Sequence, residues 1–172
     1  MVQTVGEGTR ARARARKTEL DKYVPRGMGS AMPGFAESAN GATMTDVDGR
    51  SYLDFATGIS VMNVGHRHPR VVKAIVEQAE RLVHSGAPVM MPAVYVQLAK
   101  RLCEITPGAF AKKALLVNSG AEAVENAIKV VRQATGRPAI ISFHTSFHGR
   151  TLLTMTVTGK VCPYRTHCRP TA

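Results

Sequence analysis

The stretch that decides the fold is Ala114–Arg150, ALLVNSGAEAVENAIKVVRQATGRPAIISFHTSFHGR. Ala114–Val117 is a short apolar run suited to a buried strand. Asn118-Ser119-Gly120-Ala121-Glu122 then turns the chain into a helix. Ser119 and Glu122 make a capping box, in which hydroxyl and carboxylate each take an otherwise unpaired amide. Ala123, Val124, Ala127, Ile128 and Val131 share one face at helical spacing, and Gly136 and Pro138 supply the stop. Ala139–Phe143 reads as a second apolar strand. Strand, helix and strand are long enough for a right-handed parallel crossover, so the expected class is α/β.

In such a unit the loop after the first strand sits at the carboxyl edge of the sheet. The helix start there presents unpaired amides and the positive end of a dipole, which suits a phosphate. Gly120 lets a ligand approach the backbone without meeting a Cβ. The second strand runs into His144-Thr145-Ser146-Phe147-His148-Gly149-Arg150, which should reach the same edge. An aromatic, imidazoles and a guanidinium beside a phosphate cradle have the makings of a cofactor site. On the pattern alone, an ordinary capped crossover with a polar loop is the favoured reading, because Ser-Gly at a helix start is common.

Working outward, Pro69 suits a helix start. Val71, Val72, Ile75, Val76, Ala79, Leu82 and Val83 make a wide apolar face through about His84. Pro92 opens a second helix, with Val94, Leu98, Leu102 and Ile105 inward, ending near Pro107-Gly108. Upstream, Ala42–Val47 and Arg50–Phe55 are strand-like runs around Asp48-Gly49, a hairpin signal, and Asp48 reads as a turn residue. Val24–Asn40, with Pro25, Gly27, Gly29, Pro33 and Gly34, should be irregular. His66 and His68 read as loop and cap residues. Cys162, His167 and Cys168 match no usual zinc spacing, so no metal is expected.

A chain of 172 residues can bury a sizeable core. Its net charge of +11 can favour acidic partners. Much of that charge is local, in Arg10, Arg12, Arg14, Arg16 and Lys17. This arm, residues 1–22, reads as a disordered solvated tail or a frayed helix. No aromatic interleaves with its arginines, which argues against nucleic acid as a partner. Three cysteines form no even disulfide framework, so a reducing cytoplasm is expected. No apolar run is long enough for a bilayer, and the start lacks a secretory apolar core.

VNSGAEAVENAIK, followed by SFHGRTLLTMTVTGK, resembles the class III aminotransferases that depend on pyridoxal phosphate, most of all the 4-aminobutyrate aminotransferase group. DVDGRSYLDFATGISVMNVGHRHPRVVKAI resembles the same family's opening segment. The likeness runs from about Pro25 to about Arg165. It implies the N-terminal portion of a fold type I transferase, aspartate-aminotransferase-like, with an incomplete, mostly parallel sheet. Residues 23–67 would be the N-terminal segment with its hairpin, and 68–172 the first part of the large cofactor domain.

The resemblance implies pyridoxal 5'-phosphate held by Ser119, Gly120, Ala121, Phe147 and His148. It implies that Arg150 binds a substrate carboxylate and that Ile59 lines the substrate pocket through a neighbouring subunit. The implied reaction moves an amino group from an ω-amino acid such as 4-aminobutyrate to a 2-oxo acid, 2-oxoglutarate. An acetylornithine- or ornithine-type donor is one alternative; a non-catalytic fragment whose basic arm binds nucleic acid or an acidic partner is the other. The full-length form would be a homodimer. None of Lys73, Lys100, Lys112, Lys113, Lys129 or Lys160 stands in the family's lysine motif. The lysine that forms the Schiff base is therefore expected beyond this chain, which alone should be inactive.

Overall fold

The computed structural model describes residues 10–160. The chain forms two compact units, divided between His84 and Ser85. The first unit holds α1 (Ala11–Tyr23), β1 (Ala36–Asn40), β2 (Thr43–Asp46), β3 (Ser51–Leu53), the single turn α2 (Thr57–Ser60) and α3 (Pro69–Arg81). The second holds α4 (Ala93–Ile105), α5 (Gly120–Thr135) and α6 (Leu152–Val157).

The three strands form one antiparallel sheet in the order β1-β2-β3. The Asp48-Gly49 hairpin forms as expected. Gly49 takes a left-handed φ of 83° and donates its N–H to the Asp46 carbonyl at 2.9 Å. The Asp46 carboxylate closes the turn. Its Oδ1 accepts the amides of Asp48 at 3.0 Å and Arg50 at 2.9 Å, and its Oδ2 accepts the Tyr52 hydroxyl at 2.8 Å. Burial pushes this carboxyl up, but the donors from Arg50, Tyr52 and Asp48 outweigh it and hold the group below the usual carboxylate range.

β1 forms where irregular chain was expected. Its sequence, AESAN, has little strand propensity. The signal lies just after it. Asn40 pairs with Thr43 across a two-residue loop, and Gly41 supplies the positive φ of 56° that such loops require. β2 then offers β1 a ladder, and pairing overrides propensity.

α1 is helical, the ordered one of the two forms expected of the basic arm. Ala, Arg, Lys, Glu and Leu are good helix formers, and Arg16–Glu19 at 2.7 Å and Lys17–Asp21 pair along its surface. None of its residues is buried. α3 begins at Pro69 as read. Its apolar face, Val71, Val72, Ile75 and Val76, stays largely open, as do Val94 and Leu98 on α4.

α2 is left-handed throughout, with φ of 47° at Thr57, 63° at Gly58, 61° at Ile59 and 64° at Ser60. Away from glycine this costs about 1–2 kcal/mol per residue, and a β-branched residue such as Ile59 is an outlier there.

In the second unit Ile128, Met155 and Val157 are buried, with Thr154 and Thr158 fully enclosed beside them. The sequence reading needs one correction here. Ala114–Val117 and Ala139–Phe143 flank α5 as expected but are not strands, so no parallel ladder forms among the described residues. An apolar run becomes a strand only when another backbone pairs with it, and sequential strands of a parallel sheet need not be neighbours. The Leu116 amide bonds instead to the Tyr95 hydroxyl at 2.9 Å. The α/β character stands, carried by the hairpin sheet and the helices. The segment with Cys162, His167 and Cys168 lies outside the described residues.

Asp46→Ala should lose about 1–3 kcal/mol, because it strands three half-buried donors. Because the folded carboxyl titrates below its unfolded value, its contribution is fully present above about pH 4. It is lost as the pH falls through the lowered folded value. Urea unfolding of wild type and Asp46→Ala across this range should show the gap closing on acidification. A gap independent of pH would contradict the assignment.

Candidate functional site

The candidate site is built on the start of α5. Ser119, in an extended conformation, caps the helix: its Oγ accepts the Glu122 amide at 3.1 Å. The Glu122 carboxylate reaches back to the amides of Asn118 at 2.6 Å and Ser119 at 3.1 Å. The Ala123 amide bonds to the Ser119 carbonyl. Two amides of the first turn, those of Gly120 and Ala121, meet no acceptor among the described residues. A Cβ added to Gly120 would meet nothing within 4 Å. The approach to these amides is therefore open, and the fold itself does not require glycine at that position.

The loop before α6 is pressed onto this helix start. Gly149 has a φ of 138°, and a Cβ there would lie 2.5 Å from Thr154 Oγ1 and 2.9 Å from the Ala121 Cβ. Only glycine permits that approach. Behind it sits a hydroxyl network. The His148 amide donates to Thr158 Oγ1 at 3.1 Å, and the Thr158 hydroxyl donates to the Thr154 carbonyl at 2.7 Å. The Thr151 amide donates to Thr154 Oγ1 at 3.1 Å, and the Thr151 hydroxyl reaches Glu125 on α5 at 2.6 Å. Thr154 and Thr158 are 0% exposed, so each hydroxyl must be satisfied internally, and each is.

The loop upstream is constrained as well. Thr145 adopts a φ of 63°, which a β-branched residue rarely takes. Gly159 backs it, since a Cβ there would lie 2.8 Å from the Thr145 nitrogen and 2.5 Å from the Phe143 oxygen. The Lys160 amide donates to the Ser146 carbonyl at 3.2 Å. Strain of this kind persists only where the surroundings over-determine it.

The structure thus brings Ser119, Gly120 and Ala121 against the segment that carries Phe147, His148 and Arg150. Phe147 is 50% exposed, His148 is half-buried and Arg150 is exposed. The Arg150 guanidinium makes no ion pair among the described residues. Ile59 belongs to the first unit, where it is 91% exposed at the centre of the left-handed turn.

Sequence reading missed Gly149, Thr154 and Thr158 as supports of the site. Thr151-x-x-Thr154 has the spacing of a capping box, and that arrangement is what forms. It was the one available signal. The close approach of Gly149 to Ala121 depends on tertiary packing and leaves no local mark.

The family profile described as Aminotransferase class-III matches residues 23–172, and the chain belongs to that family. It is 46% identical over 165 residues to the probable 4-aminobutyrate aminotransferase of Bacillus subtilis, covering 96% of this chain and 37% of the relative. It is 50% identical to the 5-aminovalerate aminotransferase DavT of Pseudomonas aeruginosa, covering 82% of this chain and 33% of that protein. The chain thus spans about a third of the length of these curated relatives. The crystal structure of taurine:2-oxoglutarate aminotransferase from Bifidobacterium kashiwanohense, in complex with PLP and glutamate, superposes with a TM-score of 0.74. It is 31% identical and covers 92% of this chain and 34% of that one.

The residues present fit the phosphate end of pyridoxal phosphate. The two open amides of α5 point to an anion site, and the Ser119 hydroxyl accepts from Glu122 while keeping its own proton to donate. The Glu122 charge is turned toward Asn118 and Ser119, which leaves the Gly120 and Ala121 amides for a ligand.

Gly149→Ala should destabilise the chain by roughly 1–3 kcal/mol, since the added carbon has no room. Gly120→Ala should stay within about 0.5 kcal/mol. Comparing their urea midpoints checks both. Equal effects from the two substitutions would contradict the packing described.

Proposed function

We propose that this chain supplies the phosphate-binding and substrate-carboxylate-binding part of a pyridoxal-phosphate aminotransferase acting on ω-amino acids. The observation that supports the reading is the seam between Gly149 and Ala121, which presses the loop that carries Phe147, His148 and Arg150 onto the helix start with its two open amides. On this reading Gly120 and Ala121 donate their amides to the cofactor phosphate and Ser119 donates its hydroxyl. Phe147 stacks a flat face on the ring, and His148 flanks it. Arg150 pairs the substrate carboxylate bidentately, and Ile59 lines the substrate pocket of the neighbouring subunit as an apolar wall. When bound, pyridoxal phosphate supplies a ring that draws electrons from the substrate's amino-bearing carbon.

The donor is an ω-amino acid such as 4-aminobutyrate and the acceptor a 2-oxo acid, 2-oxoglutarate. The names of the relatives from B. subtilis and P. aeruginosa support that donor class. The working form is a homodimer in the cytoplasm. The apolar faces open on α3 and α4 support a protein partner, and the three cysteines support a reducing compartment. Among the described residues no helix is long and apolar enough to cross a membrane. The 172-residue chain alone should hold the phosphate end of the cofactor without transaminating, because none of Lys73, Lys100, Lys112, Lys113, Lys129 and Lys160 stands in the family's lysine motif.

In an active aminotransferase carrying this sequence, Gly120→Val should weaken pyridoxal phosphate binding roughly ten- to a hundredfold, read by equilibrium dialysis. Because a Cβ there meets nothing, lost affinity would reflect the ligand's approach. Arg150→Lys should raise KM for the amino donor by a comparable factor and leave cofactor affinity intact. Unchanged cofactor affinity in the first variant, or unchanged KM in the second, would contradict the corresponding assignment.

A further inference from the structure

The left-handed turn Thr57–Ser60 needs something to hold it. Ile59 at its centre is 91% exposed, so burial of its own side chain offsets none of the backbone strain. The turn closes on itself through four backbone bonds, Ile59 and Ser60 N–H to the Ala56 carbonyl at 2.8 and 3.1 Å and Val61 and Met62 N–H to the Thr57 carbonyl at 2.8 and 2.9 Å. These bonds satisfy amides but do not select the left hand.

One side chain spans the entrance to the turn. Asp54 Oδ1 accepts the Ala56 amide at 3.0 Å and the Thr57 amide at 2.8 Å. Its Oδ2 lies 2.6 Å from His66 Nε2, with the two side chains only 7% and 16% exposed. His66 is itself fixed to the end of the hairpin. It exchanges both backbone hydrogen bonds with Gly41, at 2.8 and 3.0 Å. A Cβ on neighbouring Gly65 would lie 3.0 Å from the Gly41 oxygen. The Asp54 amide also bonds to the Ala42 carbonyl at 2.9 Å. Both ends of the loop between Asp54 and His66 are therefore anchored on the β1-β2 turn, and the carboxylate–imidazole contact closes the loop across its base.

We propose that Asp54 and His66 are positioning residues that clamp this loop, holding the left-handed turn so that Ile59 stands outward as an apolar wall for the substrate pocket of the neighbouring subunit. The clamp acts through the backbone of the turn and touches no substrate. The Asp54 carboxyl is held below the usual range by its bond to His66 and then by the Thr57 amide. The proposal rests on the reading of Ile59 as a pocket residue and adds what keeps it there.

The test has two arms. In the 172-residue chain, NMR should show strong intraresidue HN–Hα contacts at Thr57, Ile59 and Ser60, the mark of a positive φ. Asp54→Ala and His66→Gln should lose them, while cross-strand contacts of the hairpin persist and report that the unit is folded. Asp54→Asn keeps an oxygen for the Ala56 and Thr57 amides and should restore them in large part. In an active aminotransferase carrying this sequence, Asp54→Ala should raise KM for the amino donor roughly ten- to a hundredfold with a smaller change in kcat, matching Ile59→Ala. Positive-φ contacts that survive both Asp54→Ala and His66→Gln would overturn the clamp. So would a lost turn with KM unchanged while Ile59→Ala raises it. If Ile59→Ala itself leaves KM unchanged, the pocket reading of Ile59 fails, and the positioning role falls with it.

Discussion

Everything near the start of α5 depends on how closely Gly149 approaches Ala121. A single carbon on Gly149 would collide with Thr154 and with Ala121, and the loop carrying Phe147, His148 and Arg150 would be pushed off the helix. The enclosed hydroxyls of Thr154 and Thr158 make the approach directional. They bond to the His148 amide, to the Thr151 amide and to the Thr154 carbonyl, so the segment has one satisfied arrangement rather than several. Buried polar groups that are fully paired specify geometry, whereas half-paired ones destabilise. Here the specified geometry puts a guanidinium-bearing loop beside two unpaired amides.

The same logic recurs at Asp54 and His66. Each unit spends conformational strain, on Thr145 in one and on Thr57, Ile59 and Ser60 in the other, next to residues that the family resemblance marks for binding. In both places small residues allow a close backbone approach, and hydrogen bonds hold what sterics disfavour. The coincidence of this strain with Phe147 and Ile59 gives each a physical reason to be held rigidly.

Much of this was legible in the amino-acid order where the determinant is local. Ser119 with Glu122, Pro69, Pro92 and Asp48-Gly49 act within a few residues of themselves, and the cap, the two helix starts and the hairpin appear where those residues stand. Where the determinant is distant, the reading stopped short. β1 needed β2, and Asn40-Gly41 was its only local trace. Ala114–Val117 and Ala139–Phe143 have the composition of buried strands but lack a pairing backbone among the described residues. The loop that carries Gly149 is joined to α5 by a bond between Thr151 and Glu125, 26 residues apart in the chain, and no periodicity records such a bond.

The central claim is that the Gly120 and Ala121 amides, and not their capped neighbours, are the anion-binding groups of the chain. A titration of the isotopically labelled 172-residue chain with pyridoxal phosphate, followed by amide NMR, addresses it residue by residue. The account requires the largest shifts at Gly120 and Ala121, with the amides of Asn118 and Ser119 little changed because the Glu122 carboxylate already occupies them. Shifts concentrated on Asn118 and Ser119, or on the basic stretch Arg10–Lys17 with Gly120 and Ala121 unmoved, would contradict it.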